Sequence, residues 1–140
     1  MQAVFRVRRR RLPPIDWQPA PDIGSRVDKI ISALKLDWSL RDNIHCFRSV
    51  NANTRAYARI WGLGKIWQLA LNQDPSYVIE VISEKFDHLP VNQQDKILIH
   101  ELAHIPKTFS GSLLPHTRGR KGSFHDKLRT MEILYDKAKK

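Results

Sequence analysis

The chain has 140 residues, 41% of them hydrophobic, and a formal net charge of +10. That length suits one domain whose core needs no covalent staples. A single cysteine, Cys46, excludes an internal disulfide and a multi-cysteine zinc cluster, and no apolar run approaches the length of a membrane span.

The first eleven residues carry five arginines and no acid, and residues 118–140 carry eight Lys/Arg against three acids, so the whole positive excess sits at the two ends. Arg6, Arg8, Arg9, Arg10 and Arg11 are therefore candidate nucleic-acid contacts, with a solubilising terminus as the plainer alternative. No apolar h-region follows this basic start, and with the free thiol this gives the expectation of a cytoplasmic protein, microbial or viral. Pro13, Pro14, Pro19 and Pro21 mark residues 12–22 as an extended linker. The expected division is a basic, proline-rich arm over 1–22 and a single domain over 23–140.

A first helix is predicted after Gly24, capped by Ser25, with Val27, Ile30, Ile31 and Leu34 as its buried stripe. Four short runs follow: 44–50, 55–61, 65–72 and 77–83. They are rich in aromatic and β-branched residues and broken by Asn51-Ala52-Asn53, Gly62-Leu63-Gly64 and Asp74-Pro75. They predict at least three strands in a small, mostly antiparallel sheet. Ala56, Ala58 and Arg59 make the second run equally compatible with a helix. A second helix is predicted from Asn92, its cap, with Asp95 favouring the dipole, until Pro106 stops it. A third opens at Ser123, with Asp126 three residues on and an apolar stripe of Phe124, Leu128, Met131 and Tyr135.

The second predicted helix carries His100-Glu101-Leu102-Ala103-His104, an HExxH motif. Residues four apart lie one turn apart on one helix face, so both imidazoles can reach one metal ion. Glu101 is rotated to their side, where it can act as general base on a zinc-bound water. An apolar helix rarely carries two histidines and a glutamate on one side without a partner for them. Zinc in a hydrolase takes three protein ligands. His116, in a loop that Gly111 and Pro115 allow to turn back, and His125, in the first turn of the third helix, are the alternatives for the third; Glu132 and Asp126 are more distant candidates. His45 and His88 read as structural.

The run from Tyr77 to His116, YVIEVISEKFDHLPVNQQDKILIHELAHIPKTFSGSLLPH, resembles a family of small metallopeptidases from phages, bacteria and archaea. More distantly it is similar to SprT-like minimal zincins. The resemblance spans roughly residues 47–134 and includes RAYARIWGLGKIWQLAL. It implies an α+β, zincin-like minidomain in which a small, mostly antiparallel sheet packs with an HExxH helix and flanking helices. It implies Zn2+ at His100 and His104, Glu101 as the catalytic base, and the histidine of the proline-histidine pair, His116, as third ligand. In SprT-like proteins that histidine instead precedes a glycine and a phenylalanine; here Lys121-Gly122-Ser123-Phe124 has none, and His125 follows. The resemblance also implies a protein or peptide substrate added as a strand at a sheet edge. Tyr77, Ile79 and Val81 are the expected substrate-binding positions, with 77–83 as that edge. The expected function is a zinc metalloendopeptidase. The alternatives are a nucleic-acid-binding protein with a structural metal, or a SprT-like protease acting on nucleic-acid-bound proteins.

Overall fold

In the computed structural model, residues 13–117 and 123–139 are described. A four-stranded mixed sheet runs in the order β1-β2-β4-β3. Its strands are β1 (Asp16–Pro19), β2 (Ile44–Val50), β3 (Ala58–Gly62) and β4 (Tyr77–Ile82). β1 and β2 are antiparallel, β2 and β4 parallel, β4 and β3 antiparallel. The helices are α1 (Pro21–Ala33), α2 (Lys65–Leu71), α3 (Ser83–Phe86), α4 (Val91–Ala103) and α5 (Phe124–Ala138), with a 3-10 turn at Arg41–Asn43. The result is the expected α+β architecture. None of these helices is long and apolar enough to cross a membrane.

Residues 16–22, read as linker, belong to the fold. Asp16–Pro19 pairs with Val50–Phe47, and Pro21 opens α1. Proline suits the first helical position because the amide it lacks would have no partner there. Gly24 therefore lies inside α1, where a Cβ would meet open space. Val27, Ile30, Ile31 and Leu34 are buried as their spacing requires. Arg6, Arg8, Arg9, Arg10 and Arg11 lie outside the described residues.

The third predicted strand is α2. Its KIWQLAL run has no period that separates a short buried strand from a helix. Gly64 at its start and Asn72 in the left-handed conformation (φ 51°) at its end delimit one short helix. α4 starts one residue before the expected cap: Pro90 occupies the N-cap position and makes no side-chain cap bond.

β4 is the central strand, so its odd and even residues have separate fates. Tyr77, Ile79 and Val81 enter the core with α1, α4 and α5. On the other face Glu80, wholly buried, accepts from Arg59 Nε and Nη2 (both 2.9 Å) and from Trp61 Nε1 (3.0 Å). These bonds clamp β3 to β4. Burial pushes the Glu80 carboxyl up, but the Arg59 and Trp61 bonds prevail and hold it below its ordinary value.

The expectation that 77–83 forms a substrate-binding edge is thus overturned. β2 and β3 occupy both of its edges, and Tyr77, Ile79 and Val81 are at most 1% exposed. Tyr77 has a structural task instead: its hydroxyl donates to the Ser112 carbonyl (2.8 Å) and accepts from the Gly111 amide (2.8 Å). Gly111 is required there. Its φ is +92°, and a Cβ would lie 2.2 Å from the Leu63 carbonyl oxygen. The free edge on the α4 side is β3.

Candidate metal centre

α4 is held at three levels before it delivers its histidines. Leu98, Ile99 and Leu102 bury it in the core. At its first turns Asp95 accepts from Arg26 of α1 (2.6 Å) and Tyr135 of α5 (3.0 Å), and pairs with Lys139 (3.2 Å). At its exit the Lys127 ammonium donates to the Ile105 carbonyl (2.6 Å). The side chains that follow along the helix therefore project from a fixed frame.

α4 ends at Ala103 with His104 as its C-cap, and the chain turns through Pro106–Phe109, where the Phe109 ring packs against Trp38 and Tyr77. It then doubles back. The Leu114 amide donates to the His104 carbonyl (2.8 Å), and the His104 ring Nδ1 bonds the Leu114 carbonyl (2.6 Å). The second bond makes Nδ1 the protonated nitrogen and leaves Nε2 as a donor of its lone pair, the arrangement that orients metal-bound histidines. The same return brings His116 to the pair.

His100, His104 and His116 each offer a ring nitrogen, and these atoms all lie within 4.8 Å of one another. His100 Nε2 and His116 Nε2 are 3.1 Å apart. Two nitrogens about 2.05 Å from one tetrahedral ion would stand roughly 3.3 Å apart, so the His100–His116 pair has the spacing of two ligands to such an ion, and His104 lies close enough to be the third after a small adjustment. Among the described residues this is the one group of three or more His, Cys, Asp or Glu close enough to share a metal. Phe124, the first residue of α5, supports all three rings: it stacks on His104 (4.4 Å, 22°) and meets His100 and His116 edge-on. Burial, then the neighbouring imidazoles, pushes the His100 pKa down to about 4. Burial likewise lowers that of His104. Both therefore favour the neutral form that binds metal.

A family model described as "Putative phage metallopeptidase" matches residues 15–133. The chain belongs to that family. No curated protein and no solved structure matches it.

As a phage metallopeptidase, the chain is a metal-dependent hydrolase, and the three histidines are its candidate metal-binding group. The metallopeptidase's cleft opens beside them. It holds about 350 Å³ and is lined by Tyr57, Ala58, Lys96, Ile97, His100, Glu101 and Glu132. Glu101 is 7% exposed, and burial raises its pKa to about 8. No hydrogen bond to its carboxylate is formed by the described residues, and it faces the cleft from the side of the histidine pair.

The two candidates for the third position are separated in space. His116 joins His100 and His104; His125 lies outside the group, its ring 5.8 Å from that of Phe124. Glu132 reaches the cleft wall, while Asp126 borders a different cavity beside Trp38 and Met131. His45 and His88 are exposed and are not members of the group. Sequence reasoning missed the site roles of Phe124, Leu114, Tyr57 and Lys96. Phe124 stood out only as a core stripe residue. Leu114 acts through its carbonyl, which leaves no trace in residue type, and Tyr57 and Lys96 are neighbours only across the fold.

Proposed function

We propose that the chain is a zinc endopeptidase in which His100, His104 and His116 hold the ion and Glu101 is the general base. The observation that carries this reading is the convergence of three imidazoles, one fixed by a backbone carbonyl, at the end of a cleft that Glu101 also lines. Neutral imidazoles that meet at one point suit a borderline-soft divalent cation, and zinc is the usual one in such a set.

The zinc, when bound, supplies Lewis acidity toward a scissile carbonyl. The chain's own groups do the rest. Glu101 takes the proton of the attacking water and returns it to the leaving amine. Burial alone raises its pKa to about 8; beside a bound cation that value falls again, so that the carboxylate is ionised when it acts as base, and no hydrogen bond from the described residues occupies its oxygens. Phe124 keeps the three rings in one orientation, and the His104–Leu114 bond keeps the His116 loop against α4.

The substrate lies along β3. Tyr57 accepts from the Ile82 amide and Leu63 donates to the Ser76 carbonyl, so the alternate residues Tyr57, Arg59, Trp61 and Leu63 turn their main-chain groups toward β4. Ala58, Ile60 and Gly62 turn theirs outward. An extended peptide pairing antiparallel with this edge passes the cleft at Ala58, next to His100 and Glu101.

Glu101→Gln tests the assignment. It should keep about one zinc per chain and lose peptide hydrolysis by roughly 10²–10⁴-fold. Full activity in that variant, or loss of its zinc, would overturn the role of Glu101.

A further inference from the structure

α2 is turned inside out. Of its seven residues only Gln68 is buried, while Ile66, Trp67, Leu69 and Leu71 are 72%, 60%, 65% and 51% exposed. The cause is a polar anchor. The Gln68 amide donates to the Leu63 carbonyl (2.7 Å) and the Ser110 carbonyl (2.8 Å), which points the one amide inward and the apolar side chains outward. Trp61, 48% exposed at the end of β3, stands just before the same helix in the chain. A cluster of exposed apolar residues of this kind marks a surface that is covered in use.

Its charge, size and place say what covers it. α2 carries one charge, Lys65, so the face suits an apolar partner and not a polyanion. At 1.5 Å per residue the helix is only about 10 Å long. A face that short falls well under the ~800 Å² per partner of a standard protein interface. It fits a few side chains of an extended segment. The place is continuous with the proposed substrate edge: β3 begins at Ala58, which lines the cleft with His100 and Glu101, and ends at Gly62, from which Leu63-Gly64 leads into α2. From Ala58 to Gly62 is about 14 Å, or four steps of extended chain. A peptide antiparallel to β3 sends its N-terminal part in that direction.

We infer that α2 is an exosite for the substrate polypeptide, taking apolar residues about four to seven positions before the scissile bond. This rests on the peptidase reading above. The substrates are then protein segments with an apolar stretch upstream of the cut, and short peptides that end before that stretch lose the contact.

The test is cleavage of a sequence-diverse peptide library by the zinc-loaded full chain, with cut sites read by mass spectrometry. It is run on wild type and on the triple variant Ile66→Ser, Trp67→Ser, Leu69→Ser. Wild type should show apolar enrichment at those upstream positions, and the variant should lose it. For a long peptide with the apolar stretch, the variant's kcat/KM should fall about tenfold or more, chiefly through KM. Peptides truncated three residues before the cut should be cleaved alike by both. Zinc-dependent cleavage by wild type with no upstream preference, or a preference the variant keeps, would overturn the exosite while leaving the peptidase reading intact. Absence of zinc-dependent cleavage by wild type would instead overturn the reading it rests on. A wild-type dimer that the triple variant makes monomeric, seen by sedimentation, would assign the face to self-association and overturn the proposal.

Discussion

At the scale of single residues, His104 is the best constrained of the three histidines. Its backbone carbonyl and its ring both bond Leu114, so the residue that caps α4 also fastens the loop that carries His116. His100 and His104 were legible from their spacing alone, since a four-residue interval on a helix has one geometric outcome. From the residues alone His116 was the preferred of two alternatives, and the resemblance to the metallopeptidase family pointed to it as well. Eleven residues separate it from His104, and its position depends on the Leu114 and Gly111 bonds, which are not local. The contrast gives a direct measurement. His116→Ala should lower zinc content well below one per chain, and His125→Ala should leave it near wild type, as read by native mass spectrometry. The opposite pattern would return the third position to His125.

At the scale of elements, α4 is stabilised by a buried carboxylate more than by its own capping. Pro90 makes no side-chain cap, whereas Asp95, 6% exposed, binds Arg26 of α1, Tyr135 of α5 and Lys139, the residue that caps α5. Burial raises the Asp95 carboxyl pKa, but the bonds from Arg26, Lys139 and Tyr135 outweigh it and hold the group below its ordinary 3.8. Glu80 is held below its ordinary 4.5 in the same way. A depressed carboxylate stabilises the fold fully above its unfolded value and loses that contribution as pH falls through the folded value. The melting temperature should therefore hold on descending to about pH 5 and drop steeply below pH 4. Asp95→Asn should flatten that acid limb. Its cost at neutral pH should be about 1–2 kcal/mol from the lost charge-assisted bonds, because Arg26 keeps its bond to Gln94 and Lys139 is half-exposed to water. A limb of unchanged steepness in Asp95→Asn would remove Asp95 from this account. Elements with a strong apolar period, such as α1 and α5, were legible in outline. α2 was not, because its only inward residue is a polar anchor whose partners are Leu63 and Ser110.

At the scale of the whole molecule, the candidate centre joins parts far apart in the chain. α4 brings His100 and His104, the loop brings His116, and Phe124 brings α5. Metal bound by this set ties the 105–116 loop and α5 to α4 and should stabilise the folded state. At a free zinc concentration 100 times Kd the contribution is about 2.7 kcal/mol. For a domain of this size, chelation should then lower Tm by roughly 8 °C. His100→Ala should melt at the same temperature with and without chelator. A wild type indifferent to chelator would exclude a metal shared by these elements.

What the sequence determined by itself was local: the helix that carries HExxH, the stop at Pro106, the apolar faces of α1 and α5, and the α+β class. Each follows from period, spacing or backbone restriction within a few residues. Tertiary structure brought His116, the histidine the sequence reading preferred, to the pair, and it alone decided that 77–82 is the sheet's centre and that β3 holds the open edge by the cleft. Those outcomes depend on strand order and loop closure. They are set by pairings such as Glu80 with Arg59 and Leu114 with His104, between residues that no local pattern connects.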